Sequence, residues 1–209
     1  MEEIVTWFGR AICHQLPERS LTAGGHLLPV CARDTGIYIG LFSSLFYLMI
    51  TKKYKSNAIP DVKTSLLLFL LLFPLMIDGF GSYLGLFESN NLRRIITGLL
   101  FGLPLPFFLV PLLHSSYLNR TNVPIIRSFV QVLIPLLLSF VFAGSVYLSL
   151  VPHFFLSVFL IAMILVWFSM ILANLFWRIE KWRVKAVLSV LSSTIFISIL
   201  SIIHGAIGS

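Results

Sequence analysis

Polar residues break this chain into long apolar runs instead of alternating with apolar ones. Runs of about 18 to 25 residues, the length that crosses a bilayer as a helix, extend over Thr35–Thr51, Thr64–Tyr83, Ile95–Leu113, Ser128–Leu148, Phe154–Phe176 and Ala186–Ile203. They predict about six transmembrane helices. The stretch from Ser128 to Phe176 is divided only by "SLVPHFF". Pro74 in the second run and the prolines of "GLPLPFFLVP" in the third predict bends, tolerated where neighbouring groups satisfy the released carbonyls. Ahead of the first run, Ile4, Val5, Phe8 and Ile12 recur at helical spacing and predict a segment lying along the membrane interface. The expected fold is an all-α polytopic membrane bundle, with residues 1–34 as an outer-face segment and residues 35–209 as the transmembrane bundle.

Composition agrees with this pattern. Hydrophobic residues make up 58% of the chain and charged residues 11%, against roughly 25% charged in a soluble domain. The opening "MEEIVTWFGR" is acidic where a secretory signal is basic, which predicts no cleaved signal.

The net charge of +7 lies in short loops, with no nucleic-acid motif around it. There it sets orientation. Placing Lys52, Lys53, Lys55, Lys63, Arg120, Arg127, Arg178, Lys181, Arg183 and Lys185 inside leaves five of the 15 basic residues outside, as the positive-inside rule prefers. Both termini are then expected on the outer side of the cytoplasmic membrane. The "NRT" match at Asn119 falls inside and is read as a chance glycosylation motif.

Candidate chemistry gathers in "ICHQLPERSLTAGGHLLPVCARDTG", which holds both cysteines and two of the five histidines. Cys13, His14, Cys31 and Asp34 supply sulfur, nitrogen and oxygen donors that zinc accepts together. His26, His153 or Asp78 could complete such a shell. A disulfide is the alternative, and closing a loop of that length is worth roughly 3 kcal/mol in the chain-entropy model. Cys31, before a predicted helix start and beside Arg33, also suits a thiolate, and Asp34 suits an N-cap.

Asp78 is an acid inside an apolar run. That placement is costly and usually faces a cavity or a partner. Its readings are a structural ion pair with Arg93 or Arg94, a general acid/base, a metal ligand or an ion site. Arg93 and Arg94, at a helix start, can hold phosphate or carboxylate. Orientation places His14, His26, His153 and His204 on the same outer face as the cysteines.

"CHQLPERS", "LPVCARDTGIYIG", the "DG" of the second run and "SNNLRRIITG" resemble the prokaryotic membrane proteins catalogued as domain of unknown function 2085. The resemblance covers Ile12 to Gly102. The family pattern has C-A-R-C where this chain has Cys31, Ala32, Arg33 and Asp34. Cysteine and aspartate both ligate zinc, so the resemblance implies a metal site at Cys13, His14, Cys31 and Asp34.

The leading expectation is an outer-face site for zinc or another transition metal that acts on a membrane lipid or lipid-linked phosphate. Asp78 and Arg33 are the catalytic candidates, and Arg93 and Arg94 the substrate-binding ones. The alternatives are a transporter or channel using Asp78, and a structural partner subunit held by a disulfide or metal clip.

Overall fold

In hydrocarbon every backbone N–H and C=O must be satisfied within the protein, so long apolar runs fold as helices. The computed structural model describes residues 2–56, 58–114, 124–179 and 181–207. Asn119 and Arg120 lie outside the described residues. The helices and strands are α1 (Glu2–Arg10), β1 (Ser20–Ala23), β2 (His26–Cys31), α2 (Ala32–Ile50), α3 (Val62–Leu70), α4 (Phe73–Tyr83), α5 (Asn91–Gly102), α6 (Leu105–His114), α7 (Leu133–Tyr147), α8 (His153–Ala173) and α9 (Trp182–Ile207).

Among the described residues, five segments are long and apolar enough to cross a membrane: Val62–Tyr83, Asn91–Leu113, Phe129–Tyr147, His153–Ala173 and Trp182–Ala206. The protein is therefore an all-α polytopic membrane bundle. The difference from the expected count of about six is α2, which is a helix of 19 residues but is not among the five. Arg33, Asp34, Ser43 and Ser44 dilute its apolar character, and much of its surface is buried against protein instead of facing lipid.

The chain forms two compact units, residues 32–148 and residues 1–31 with 149–209. In the first of these, α2 and α5 pack face to face. Gly36 and Gly40 on α2 and Gly98 and Gly102 on α5 form a Gly-x-x-x-Gly pair on each helix, the spacing that lets two backbones approach closely. A Cβ on Gly36 would strike the Ile95 carbonyl oxygen, and one on Gly98 the Arg33 carbonyl oxygen. Of an apolar stretch of Asn91–Leu113, 61% is buried, against 22% for Val62–Tyr83. The α2–α5 pair is thus the centre of this unit.

Both proline-containing runs are interrupted near their middles, at Leu71–Leu72 just before Pro74 and at Leu103–Pro104. At the second break the Phe107 amide turns to the Pro104 carbonyl (3.1 Å). The buried Ser44 hydroxyl donates to the Leu103 carbonyl (2.6 Å), so that acceptor is satisfied from α2. "SLVPHFF" separates two helices, since α7 ends at Tyr147 and α8 begins at His153.

In the other unit α8 packs on α9, with the Ser169 and Ser193 hydroxyls 2.8 Å apart. The strands β1 and β2 pair antiparallel, Thr22 opposite Leu27 and Ala23 opposite His26. Gly24 and Gly25, at φ 57° and 83°, make the turn between them. Two successive positive φ values are what a tight hairpin of this hand requires. This hairpin lies within residues 1–34, the segment expected at the outer face. Ser149 donates to the Thr22 carbonyl (2.9 Å), and Ser201 near the end of α9 donates to the Trp7 carbonyl of α1 (2.8 Å). So α1 and the hairpin cap the end of the α8–α9 pair where α8 begins and α9 finishes.

Candidate functional site

The cysteines meet because the chain doubles back after α1. Gln15 takes a left-handed conformation (φ 55°). Its amide nitrogen donates to the carbonyls of Thr6 and Pro29, both at 2.9 Å, which ties α1 to β2. The Cys31 amide then donates to Cys13 Sγ at 3.2 Å, across 18 residues of sequence. Their sulfurs lie within 4.8 Å of each other. Two thiolates on one tetrahedral zinc stand about 3.8 Å apart, from a Zn–S distance of about 2.3 Å, so the separation suits a shared ion.

Cys31 directly precedes α2, where the helix dipole favours a thiolate. Asp34 follows three residues later. It lies inside the first turn of α2 and not at the expected N-cap, because the helix already begins at Ala32. Chain continuity alone holds its Cα within about 11 Å of Cys31. The ring of His14 packs edge-on against His204 of α9, with centroids 4.5 Å apart.

In the unit of residues 32–148, a second cluster surrounds Asp78 of α4, whose side chain is wholly buried. Arg33 Nη2 meets Asp78 Oδ2 at 2.5 Å and Arg93 Nε meets Oδ1 at 3.0 Å. The Ser89 hydroxyl donates to Oδ1 at 2.7 Å. Asn90 caps α5 by accepting from the Arg93 amide (2.8 Å), and the Arg93 guanidinium lies 4.1 Å over the Phe87 ring. Arg94 is buried and donates to Asn91 Oδ1 at 3.2 Å.

Both oxygens of Asp78 are thus engaged, and two guanidinium groups face one carboxylate. The cluster keeps a net positive charge. Arg33 Nε is a buried donor with no hydrogen-bond acceptor among the described residues, and such groups are rare unless a ligand or water serves them.

The expected pairing of Asp78 with Arg93 is present, and Arg33 joins it as a second partner. Ser89, Phe87 and Gln15 carry no such signal in the sequence. Nothing in "FESNN" distinguishes Ser89 as a partner for an acid eleven positions earlier. The Gly-x-x-x-Gly spacings were readable and would have identified the α2–α5 contact.

The family model for domain of unknown function 2085, described as a predicted membrane protein, matches residues 13–108. An uncharacterised protein of Methanothermobacter thermautotrophicus is 43% identical over 106 residues, which is 50% of this chain and 90% of that protein. An uncharacterised protein of Methanocaldococcus jannaschii is 38% identical over 109 residues, 52% of this chain and 68% of that protein. No solved structure matches. The family-matched stretch contains Cys13, Cys31, Arg33, Asp34, Asp78, Ser89 and Arg93, and stops before His153 and His204.

Proposed function

The chain belongs to the domain of unknown function 2085 family of membrane proteins, and on that footing we propose that it holds a zinc-class ion and handles a phosphate-bearing lipid or lipid-linked substrate. Cys13 and Cys31 supply the thiolates. The observation that carries the reading is the meeting of two thiols distant in sequence, with a backbone amide directed at one sulfur. A bound ion of this kind supplies Lewis acidity or an activated water.

Arg33 and Arg93 bind the anion. Their excess positive charge and the unserved Arg33 Nε call for an acceptor that Asp78 does not provide. Asp78 in this reading is a positioning residue that orients both guanidinium groups. A transporter has less support, because the carbonyl released at the α5–α6 break is already taken by Ser44.

We also propose that α2 is a sixth crossing and that both termini face outward across the cytoplasmic membrane. A helix of 19 residues spans about 28 Å, close to the hydrocarbon thickness of about 30 Å. It runs from the Arg33–Asp78–Arg93 cluster at one end to the Lys53–Gln131 hydrogen bond at the other, so polar groups mark both ends.

Metal content of the detergent-purified protein, dialysed against a weak chelator, tests the metal reading. One retained ion per native chain, lost in both Cys13→Ser and Cys31→Ser, is the expected result. Native protein without metal, or cysteine variants that keep it, would sink the reading. Binding of vesicles containing phosphatidic acid should weaken in Arg33→Gln, and unchanged binding would remove the anion role.

A further inference from the structure

An open cavity of about 320 Å³ lies in the unit formed by residues 1–31 and 149–209, lined in part by Val5, Thr6, Gln15, Leu28, His26 and His153. The two imidazoles come from different elements, His26 opening β2 and His153 opening α8. Their ring centroids are 5.2 Å apart and the planes are inclined by 38°.

Zinc bound at about 2.0–2.1 Å from an imidazole nitrogen lies about 3.2 Å from the ring centroid, so two rings at a tetrahedral angle stand about 5.2 Å apart. The observed spacing matches that value. His14 and His204, by contrast, are nearly perpendicular at 4.5 Å, the geometry of edge-to-face aromatic packing.

The hydrogen bonding of His153 points the same way. Its Nε2 is 3.1 Å from the Leu27 carbonyl oxygen, with the Ser157 hydroxyl at 3.3 Å. A carbonyl only accepts, so Nε2 carries a proton, and in the neutral ring Nδ1 keeps its lone pair. Metal-ligating histidines are oriented in this way, the second nitrogen donating to a carbonyl. Gln15 lines the same cavity, and its amide nitrogen is committed to two carbonyls, which leaves Oε1 as its acceptor.

We propose that His26 and His153 form a second metal site, for a divalent transition cation of the zinc class. The cavity leaves its remaining coordination positions open to water or a small solute. The site is distinct from the thiol pair. His26 and Cys31 stand at opposite ends of β2, about 17 Å apart at about 3.4 Å per residue, too far to share an ion. Two imidazoles with open positions hold an ion less tightly than a thiolate pair, so the histidine ion exchanges while the thiolate ion stays.

The test is a cobalt(II) titration of the full-length, chelator-stripped protein in detergent, read by stoichiometry and by absorption. Thiolate coordination adds an intense near-ultraviolet charge-transfer band, and imidazole coordination alone does not. Native protein should bind two equivalents. Cys31→Ser should keep one equivalent without the charge-transfer band, whereas His26→Gln and His153→Gln should each bind one fewer than native.

Failure of the thiol reading would leave the equivalent bound by Cys31→Ser untouched, so the two ideas fail separately. A Cys31→Ser protein that binds no cobalt overturns the histidine site. So does either histidine variant that matches native stoichiometry. Should His153→Gln not fold, His26→Gln on the strand decides alone.

Discussion

Replacing Gly98 with alanine tests the contact on which the larger unit is built. A Cβ at this position would fall closer than 3.0 Å to the Arg33 carbonyl oxygen, with the Arg33 carbonyl carbon and Ile37 nitrogen at 3.1 Å. All three atoms are backbone, so no side chain can rotate away. Either α2 and α5 separate by about an ångström or one helix distorts, and overpacking of this kind costs about 1–3 kcal/mol. Alanine returns about 0.5–1 kcal/mol by stiffening a helix interior.

The net expectation is a loss of about 1 kcal/mol, within a span of about 0–2.5 kcal/mol. Gly144→Ala on α7 is the matched control, since nothing lies within 4 Å of its Cβ position. That substitution should stabilise by about 0.5–1 kcal/mol. Unfolding of both variants in mild detergent, followed by far-ultraviolet circular dichroism, should therefore place them on opposite sides of the native midpoint. A Gly98→Ala protein as stable as Gly144→Ala would refute the close α2–α5 approach. Because the struck atom belongs to Arg33, Gly98→Ala should also weaken anionic-lipid binding.

Asp78→Asn leaves two arginines facing each other without their carboxylate. Losing one partner of a buried ion pair costs about 3–5 kcal/mol, and the partial exposure of Arg33 and Arg93 lowers the expectation to about 2–3 kcal/mol. The double variant Asp78→Asn/Arg93→Gln should recover part of it in a denaturation cycle, and native stability in the single variant would contradict the cluster's role. Gln15→Ala removes two hydrogen bonds between α1 and β2 and keeps the left-handed backbone; it should cost about 2 kcal/mol, seen as faster amide exchange in residues 2–31. Burial, and secondarily Arg127, hold Lys53 below the ordinary lysine value of 10.5. The unfolded chain therefore binds more protons between the lowered value and 10.5, so stability should rise with pH through that window. Lys53→Met should flatten the rise, and an unchanged profile would dissociate it from Lys53.

Much of the site was visible as residue types and little of it as pairs. Asp78 stood out because an acid in an apolar run needs compensation, yet its partners lie 45 and 15 residues away on other helices. The cysteines are visible as residue types, but their contact depends on the positive φ of Gln15 and on a hairpin with a two-glycine turn. His26 and His153 were candidates for a common face, while their ring spacing and the tautomer set by Leu27 are visible only in the folded chain.

By itself the sequence determined the membrane class, the helical runs and the positions of the proline breaks. These follow from the length, apolarity and backbone chemistry of contiguous residues, which act over a few turns. The tertiary structure decided which helices are central, that α2 is buried against α5 despite its polar start, and which charges and rings face one another. Those outcomes depend on how surfaces distant in sequence fit together. Lipid tails are as apolar as the helix surfaces and give no preference among helix partners, so close packing at four glycines and the matching of a few buried polar groups select them.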